Sequence, residues 1–409
     1  MSLTLSNPSA FEEALEAAFH ARSKTNEAQA SAFDRFGKLR LPHRRLEGWK
    51  WTDFNAALRA VKPGAVETPV VAPSPFAALA PLEFRIVGGR IEIPDEKMPA
   101  GIRYGVMDSV ATIDELERHP IASLNVALTR KSLALEVLEG VNFERPILIR
   151  HINAGAGFSF SQTMMRISPN AKAQLIETYE GEGAGFYSHL FHVAVRDGAS
   201  FQRAMLHETD GAGVIHGICA AKIDEKASFS QTSLSRGARL SRHESHLHFW
   251  APDSAASLAS ASLLSGENHA DFTSEALFRA EKCAMRQLHK GVARDRGRNV
   301  FQGKFHVFRE AQKTDAKMTA NALLLSDSAE ANHKPELEIY ADDVACAHGS
   351  TVGALDEDVL FYLRQRGLDE AQARAILIEA YVGEVAESIE NDNVREIFSA
   401  RVKQWLEQQ

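Results

Sequence analysis

Two stretches that lie 28 residues apart, Ala199-Ser-Phe-Gln202 and Ala227-Ser-Phe-Ser230, begin with the same three residues, and each follows a turn signal. The same interval, continued in both directions, reaches a small residue every time. The matching positions are Ala171, Ala199, Ala227, Ala255, Cys283 and Ala311. A fixed period of about 20 to 50 residues is typical of stacked supersecondary units. We therefore expect a repeat core, the alternative being a chance spacing of common alanines.

The segments between these positions predict strands rather than helices. Leu133, Leu135 and Val137 alternate with other residues, and residues 146–149 and 191–195 are rich in β-forming side chains. The leucine-rich repeat pattern is missing, although its length would fit. A parallel β-helix remains. Its five intervals, at about 4.8 Å per interstrand step, would span roughly 24 Å.

The predicted fold class is mainly β, with a helical region on each side of the repeat core. Residues 1–80 are predicted to form an N-terminal helical region with a proline-rich linker, because five of the 14 prolines lie within residues 63–81. A small mixed hairpin and helix region follows at 81–130. The β-helix core is expected at 131–350, and a C-terminal helical domain at 351–409.

Composition limits the classes of function. The chain has 409 residues, a net charge of −8 and three cysteines. The acidic balance argues against a nucleic-acid partner, and the few cysteines argue against a disulfide scaffold. No apolar run approaches the length of about 18 residues that a membrane span needs. With no apolar signal segment near the start, we expect a cytoplasmic protein that binds no membrane.

The acidic charge is concentrated at the C-terminal end. Residues 355–409 contain 12 acidic and 6 basic side chains, a net charge of −6. Such a surface favours a basic protein partner more than a nucleic acid.

The strongest motif for chemistry is Asp342-Asp-Val-Ala-Cys-Ala-His-Gly349. In an extended segment, residues i and i+2 point to the same face, so Cys346 and His348 would present a thiolate and an imidazole side by side. Such a pair suits iron or zinc, but two ligands cannot close a tetrahedral site. The alternative is a small buried thiol beside a hydrogen-bonded histidine.

A second motif, Arg242-His-Glu-Ser-His-Leu-His-Phe-Trp250, places alternate residues on one face of a strand. His246 and His248 on that face could bind a metal, as the H-x-H pair of cupins does. Leu240, however, stands where cupins carry a glycine. A solvent-facing strand surface is the interpretation that we favour for Arg242, Glu244 and the two histidines.

Three further features are assigned no chemistry. The glycine-rich run Gly181–Gly185 does not open a helix, so a mobile loop is favoured over a phosphate cradle. Cys219 and Cys283 lie among apolar or repeat positions and are interpreted as structural. The chain contains neither a P-loop nor a G-x-S-x-G motif, so no ATPase site and no nucleophilic serine can be assigned.

The C-terminal half carries a family resemblance. Residues 334–353, which include the Cys346–His348 motif, closely resemble the signature of the SufB/SufD family. Similar stretches occur at 44–53, 301–304, 311–315, 323–327 and 355–367. The match extends from about residue 40 to about residue 388. Because the chain is short and lacks the cysteine-rich segment usual in SufB, it is most similar to the SufD branch.

The resemblance implies a right-handed parallel β-helix between helical ends. It also implies a non-catalytic subunit of the SufBCD complex, which builds iron–sulfur clusters. In the family, the β-helix pairs with a SufB-like subunit in a heterodimer, and C-terminal helices hold a SufC-like ATPase. The residues implied in this docking are Leu355, Leu360, Phe361, Tyr362, Arg364 and Arg366.

The family also implies a role for the motif histidine, which faces a cysteine of SufB at the interface of the two subunits. That role corresponds to His348, with Cys346 as a weaker candidate, and the missing ligands would come from the partner. Asp342 or Asp343 could orient the other ring nitrogen of His348. Ser350 departs from the family, which often has alanine there.

No tightly bound cofactor is expected in the isolated chain, and iron or an iron–sulfur cluster would bind transiently in the complex. Flavin binding, and a homodimer of the isolated chain, are left open. The alternative function is a carbohydrate-active β-helix enzyme, which would need clustered carboxylates or Arg and Lys side chains on one exposed face.

Overall fold

The computed structural model describes residues 8–61, 72–109, 116–209 and 212–408. Helices lie at both ends of this part of the chain, and none of them is long and apolar enough to cross a membrane. The α-helices are α1 (Ala10–His20), α2 (Glu27–Leu39), α3 (Phe54–Leu58), α4 (Pro120–Leu128), α5 (Glu357–Gln365), α6 (Glu370–Ala386) and α7 (Asp392–Leu406).

Strands fill the middle of the chain. The first of them are β1 (Leu82–Val87), β2 (Arg90–Glu92), β3 (Ile102–Asp108), β4 (Lys131–Val137), β5 (Asn142–Ala154), β6 (Phe158–Ile167), β7 (Lys172–Glu182), β8 (Phe186–Val195), β9 (Ser200–Thr209) and β10 (Val214–Ile223). The rest are β11 (Ser228–Gly237), β12 (Leu240–Phe249), β13 (Ala255–Leu264), β14 (His269–Phe278), β15 (Ala284–Ala293), β16 (Arg298–Val307), β17 (Asp315–Leu324), β18 (Glu330–Ile339) and β19 (Ala345–Gly353).

From β4 onward, successive strands alternate between two sheets. Even-numbered strands stack in one sheet and odd-numbered strands in the other, and neighbours within each sheet are parallel. Each coil of the chain therefore adds one strand to each sheet, which gives eight coils between β4 and β19. The predicted mainly-β class and the parallel β-helix are confirmed.

The sheets begin before residue 131. The hairpin of β1 and β2 turns at Gly88-Gly89, as the sequence predicts, and β1 pairs in parallel with β5. Strand β3 pairs antiparallel with β4. Of the predicted proline-rich linker, residues 62–71 lie outside the described residues.

From β7 to β17, the corner before each odd-numbered strand is closed by a small buried residue. These residues are at most 1% exposed and are Ala171, Ala199, Ala227, Ser254, Cys283 and Thr314. The predicted repeat positions Ala255 and Ala311 are therefore wrong. Register partners are 28 residues apart from β7 to β11. The later coils have 27, 29, 31 and 30 residues, so a fixed period of 28 no longer falls on the corner.

The residue before each small corner residue adopts a left-handed backbone conformation, with φ between 53° and 66°. Each one donates its backbone N–H to a carbonyl in the corner of the next coil, over 2.5 to 3.3 Å. The residues in this ladder are Asn170, Gly198, Lys226, Asp253, Lys282 and Lys313. The corners therefore stack as regularly as the strands do.

Apolar side chains form three layers. The largest core lies between the two sheets and includes Phe191, Phe201 and Phe249. The N-terminal helices cover part of the outer face of the even-numbered sheet. Helices α6 and α7 cover the outer face of the odd-numbered sheet, where Val382 and other buried side chains pack against the strands. The helical regions thus cover the two flat sides of the β-helix and leave its end at β18 and β19 uncovered.

Candidate functional site

The uncovered end of the β-helix consists of the last strand of each sheet. Strand β18 pairs only with β16, and β19 pairs only with β17. Among the described residues, no strand occupies the outer edge of either one. Most residues of β19 are exposed, and Tyr340 and Val352 are apolar side chains about half exposed beside this edge. We call this surface the open end.

His348 and Cys346 lie at the open end and face the space between the sheets. Their register partners on β17, Met318 and Ala316, are fully buried in the core. Because no further coil follows β19, His348 is exposed and Cys346 is only half-buried. Burial raises the pKa of the Cys346 thiol, so the neutral form is favoured until a metal or base removes the proton.

The structure does not bring Asp342 and Asp343 to His348. Both carboxylates are exposed in the corner that precedes β19, and the backbone N–H of Asp343 donates to Gln312 Oε1 over 2.9 Å. From Ala345, the first residue of the strand, to His348 is already about 10 Å of extended chain. In the described residues no hydrogen bond or ion pair joins either aspartate to His348.

The neighbours of this site come instead from the opposite sheet. Ser350 lies 2.9 Å from His333 Nδ1, and His333 Nε2 lies 3.1 Å from Asn299 Oδ1. Asn299 Nδ2 is 2.9 Å from His289 Nε2, whose other ring nitrogen is 2.8 Å from Ser260. A hydrogen-bonded row thus leads from the open end into the β-helix, starting at the hydroxyl of Ser350.

The residues predicted to dock an ATPase fall into two groups. Leu355 and Leu360 are buried, so they hold the C-terminal helices in place rather than form a surface. Phe361 and Tyr362 are exposed on α5, at 62% and 55%. The two predicted arginines lie beside them: Arg366 is 5.1 Å from the centre of the Tyr362 ring, and Arg364 pairs with Glu370 at 3.8 Å.

The strand face predicted to be solvent-exposed on β12 is buried. Arg242 and Glu244 are at most 4% exposed, because residues of the N-terminal region cover this part of the sheet. The guanidinium of Arg242 donates to Glu244 over 2.9 Å and to Asp271, and it lies 3.8 Å from the centre of the Trp49 ring. The arrangement is a structural ion-pair network.

The H-x-H pair on the same strand is not poised to bind a metal. Burial opposes protonation of His246, but Glu244 and Glu275, each 3.7 Å away, outweigh it and raise the pKa of His246 to about 9. A protonated imidazole has no free electron pair on either nitrogen. His248 is buried and stacks against Trp250.

The glycine-rich run forms the turn between β7 and β8, and close packing explains it. A Cβ on Gly181, whose φ is +142°, would lie 1.9 Å from the carbonyl oxygen of Asn153 in the preceding coil. The two interpretations made from the sequence, a phosphate cradle and a mobile loop, did not include this backbone contact. Cys219 and Cys283 are both buried, which agrees with a structural role.

One cluster that the sequence analysis missed lies inside the β-helix. His151, Glu177 and His189 are fully buried next to Arg203. Burial lowers the pKa of both histidines and favours their neutral forms. Burial opposes ionisation of Glu177, but Arg203 and His151 outweigh it and hold the pKa of that carboxyl well below its usual range. The only signal in the sequence was the crowding of 13 of the 16 histidines between residues 151 and 348.

The fold and the open end define a class: a parallel β-helix protein with a half-buried cysteine and an exposed histidine side by side at one end. Comparison with known proteins identifies the family. Residues 150–381 match the family model described as "SUF system FeS cluster assembly, SufBD core domain", and the chain belongs to that family.

Relatives agree with this membership. The chain is 28% identical to the iron–sulfur cluster assembly protein SufD of Escherichia coli, over 90% of this chain and 89% of that protein. It is 30% identical to the chloroplast protein ABCI7 of Arabidopsis thaliana, over 67% and 60%. It is 25% identical to an iron–sulfur cluster assembly SufBD family protein of Synechocystis, over 89% and 87%. These similarities support a role in iron–sulfur cluster assembly, and nothing in them supports the carbohydrate-active alternative.

Proposed function

We propose that this chain is a SufD-like, non-catalytic subunit of a SufBCD-type complex. A SufB-like subunit would pair with the open end, and a SufC-like ATPase would dock on the C-terminal helices. Iron or a nascent cluster is cargo in this proposal, held transiently where the two β-helix subunits meet. The observation that carries the proposal is the pair of unpaired edge strands around His348.

The backbone of β19 is arranged to accept another strand. The N–H of Ala345 donates to Thr314 in the preceding coil over 2.9 Å. Because peptide groups alternate in direction along a strand, those of Cys346, His348 and Val352 point to the empty side of the edge. An unpaired edge of this kind is a template for pairing with another chain. A partner strand would continue the sheet across the interface by β-augmentation.

The number of metal ligands at the open end also supports binding of a second chain. Cys346 and His348 offer one sulfur and one nitrogen, and a closed tetrahedral iron or zinc site needs four ligands. Both side chains face the space that a partner strand would close, so its thiolates could complete the site. Self-pairing of the isolated chain would use the same edges.

The exposed aromatic side chains of α5 are the proposed contact for the ATPase. Phe361, Tyr362 and Val359 leave an apolar surface on a helix of which only Leu360 is buried. Aromatic side chains with neighbouring arginines are the residues that most often carry binding energy at interfaces. Hydrolysis of ATP would take place in the partner, and this chain would transmit its motion to the β-helix.

Replacing Val352 with proline tests the edge pairing. The substitution removes one N–H from the empty side of β19 and leaves the bonds to β17 intact, so we expect the chain to fold normally. Binding to the SufB-like subunit should weaken by about tenfold or more, because one hydrogen bond is lost and the proline ring occupies space that the partner strand needs. Isothermal titration calorimetry measures the affinity, and circular dichroism monitors folding.

The control for this experiment is Val352→Thr, which changes the side chain but keeps the N–H and should bind the partner as the wild type does. Equal affinity of Val352→Pro and the wild type would rule out strand pairing at this edge.

Replacing both Phe361 and Tyr362 with alanine tests the ATPase contact. Because both side chains are exposed, we expect little change in stability. Affinity for the SufC-like ATPase should fall by at least about tenfold, the usual loss at aromatic hot spots. Trp250→Ala is the matched control, since Trp250 is also an exposed aromatic residue but directly follows β12, far from α5 in the sequence. If the double variant and the control bind the ATPase equally well, α5 is not the docking surface.

A further inference from the structure

The interior of the β-helix contains a polar cluster that the proposed function does not use. His151, Glu177 and His189 lie on β5, β7 and β8, and none is more than 1% exposed. One ligand atom from each of the three lies within 4.8 Å of the other two. Glu177 and His348 are separated by six strand steps along the odd-numbered sheet, or about 29 Å. The cluster is therefore separate from the open end.

The three side chains converge on one point. His151 Nε2 lies 2.8 Å from Glu177 Oε1, and His189 Nε2 lies 3.7 Å from the same oxygen. His189 Nε2 is completely buried and has no hydrogen-bond partner. A buried ring nitrogen that lacks a partner costs free energy unless something occupies the space in front of it.

The atoms of these side chains that face away from the shared point already have hydrogen-bond partners, which fix the orientation of each side chain. His151 Nδ1 lies 2.6 Å from the hydroxyl of Tyr187, and His189 Nδ1 lies 2.8 Å from that of Ser161. Both hydroxyls can accept a ring N–H, and in that tautomer the Nε2 electron pair of each histidine is directed at the shared point. Glu177 accepts from Arg203 through its other oxygen. Metal-binding histidines and carboxylates typically have such outer partners.

We propose that His151 Nε2, His189 Nε2 and Glu177 Oε1 bind a divalent first-row transition metal ion. Two imidazoles and one carboxylate are the ligand set of many iron(II) and zinc sites. Without the ion, His151 Nε2–H donates to Glu177 over 2.8 Å. On binding, the ring would take its other tautomer, in which Nδ1–H donates to the Tyr187 hydroxyl and Nε2 binds the metal. Because Arg203 already neutralises part of the charge of Glu177, we expect micromolar rather than nanomolar affinity.

A surface feature lies next to the His151 side of the cluster. A small cleft beside the turn between β7 and β8 is lined by His151, Tyr179, Tyr187, Gly181 and Gly183. One ligand and the hydroxyl that orients it therefore lie along the cleft.

A superficially similar cluster, His119, His216 and Glu244, does not qualify. His119 Nδ1 accepts the N–H of Ala122 at the start of α4, so its Nε2 carries the proton that faces Glu244. Glu244 also lies within hydrogen-bonding distance of His216 and Arg242. This carboxylate already has its full set of donors, and His119 provides a control for the first cluster.

The test uses the full chain without an affinity tag, carrying Cys346→Ser and His348→Ala so that the open end cannot bind metal. Cobalt(II) is titrated while visible absorption and calorimetry report coordination and stoichiometry. We expect one cobalt ion per chain with absorption typical of a low-coordinate site. His189→Ala should weaken binding by at least about 100-fold, and Ser161→Ala, which removes only an orienting hydroxyl, by about 10- to 100-fold. His119→Asn should leave the affinity unchanged.

Absence of stoichiometric cobalt binding would overturn the inference. So would equal affinities of the His189→Ala variant and its parent. If His189→Ala fails to fold, Ser161→Ala decides the question, and an unchanged affinity in that variant contradicts the site. These results do not depend on the proposed function, because partner binding at the open end is measured separately.

Discussion

Replacing Arg242 with methionine is expected to lower the free energy of unfolding by about 3 to 5 kcal/mol, the usual cost of breaking a buried ion pair from one side. The guanidinium is 1% exposed and pairs with Glu244 and Asp271. Methionine would fill much of the volume but leave two buried carboxylates without their cation. It would also remove the charged group that stacks on Trp49.

Urea unfolding followed by circular dichroism measures this loss. Arg239→Met is the matched control, because Arg239 lies three residues before Arg242 but is exposed. Its replacement should change the free energy of unfolding by less than about 0.5 kcal/mol. A loss below about 1 kcal/mol for Arg242→Met would show that the network is not a main contact between the N-terminal region and the β-helix.

Replacing His348 with alanine is expected to slow iron–sulfur cluster formation by at least about tenfold in a complex reconstituted with the SufB-like and SufC-like subunits. The imidazole is exposed in the free chain and has no hydrogen-bond partner among the described residues. Its removal leaves no buried group unpaired, so the free energy of unfolding should hardly change. The affinity for the SufB-like subunit should also be nearly preserved, because the backbone of β19 remains intact. A loss of cluster formation with normal assembly would separate a ligand role from a docking role.

Cluster formation is followed anaerobically by absorption and by iron and sulfide analysis. His20→Ala is the control, since His20 is exposed at the end of α1, on a different part of the molecule. Cluster formation at the wild-type rate in His348→Ala would remove the ligand role while leaving the fold and the edge pairing untouched.

The repeat core could be predicted because its corners impose a local requirement. The corners before β7, β9 and β11 each bury a small residue, so Ala171, Ala199 and Ala227 appear at a constant interval while the coils have equal length. The interval changes where later coils contain one residue fewer or one to three residues more. The corner then falls on Ser254 and Thr314, and a search for alanines selects Ala255 and Ala311 instead.

Contacts between regions that are distant in the chain could not be predicted in this way. The strand with Arg242 and Glu244 has the alternation of a surface strand, and only the N-terminal region folded over it makes that face buried. The cluster at Glu177 likewise needs three strands in register. His348, by contrast, lies in a short motif whose extended geometry places it beside Cys346, and the ligand role proposed for it comes from the family resemblance of that motif.

Pulsed electron paramagnetic resonance on the reduced cluster tests the central claim most directly. Only this chain is labelled with ¹⁵N-histidine, and it is combined with unlabelled SufB-like and SufC-like subunits. If His348 binds the nascent cluster, a ¹⁵N hyperfine coupling should be present with the wild-type chain and absent with His348→Ala. A coupling that persists in His348→Ala, or none with the wild type, would contradict the account.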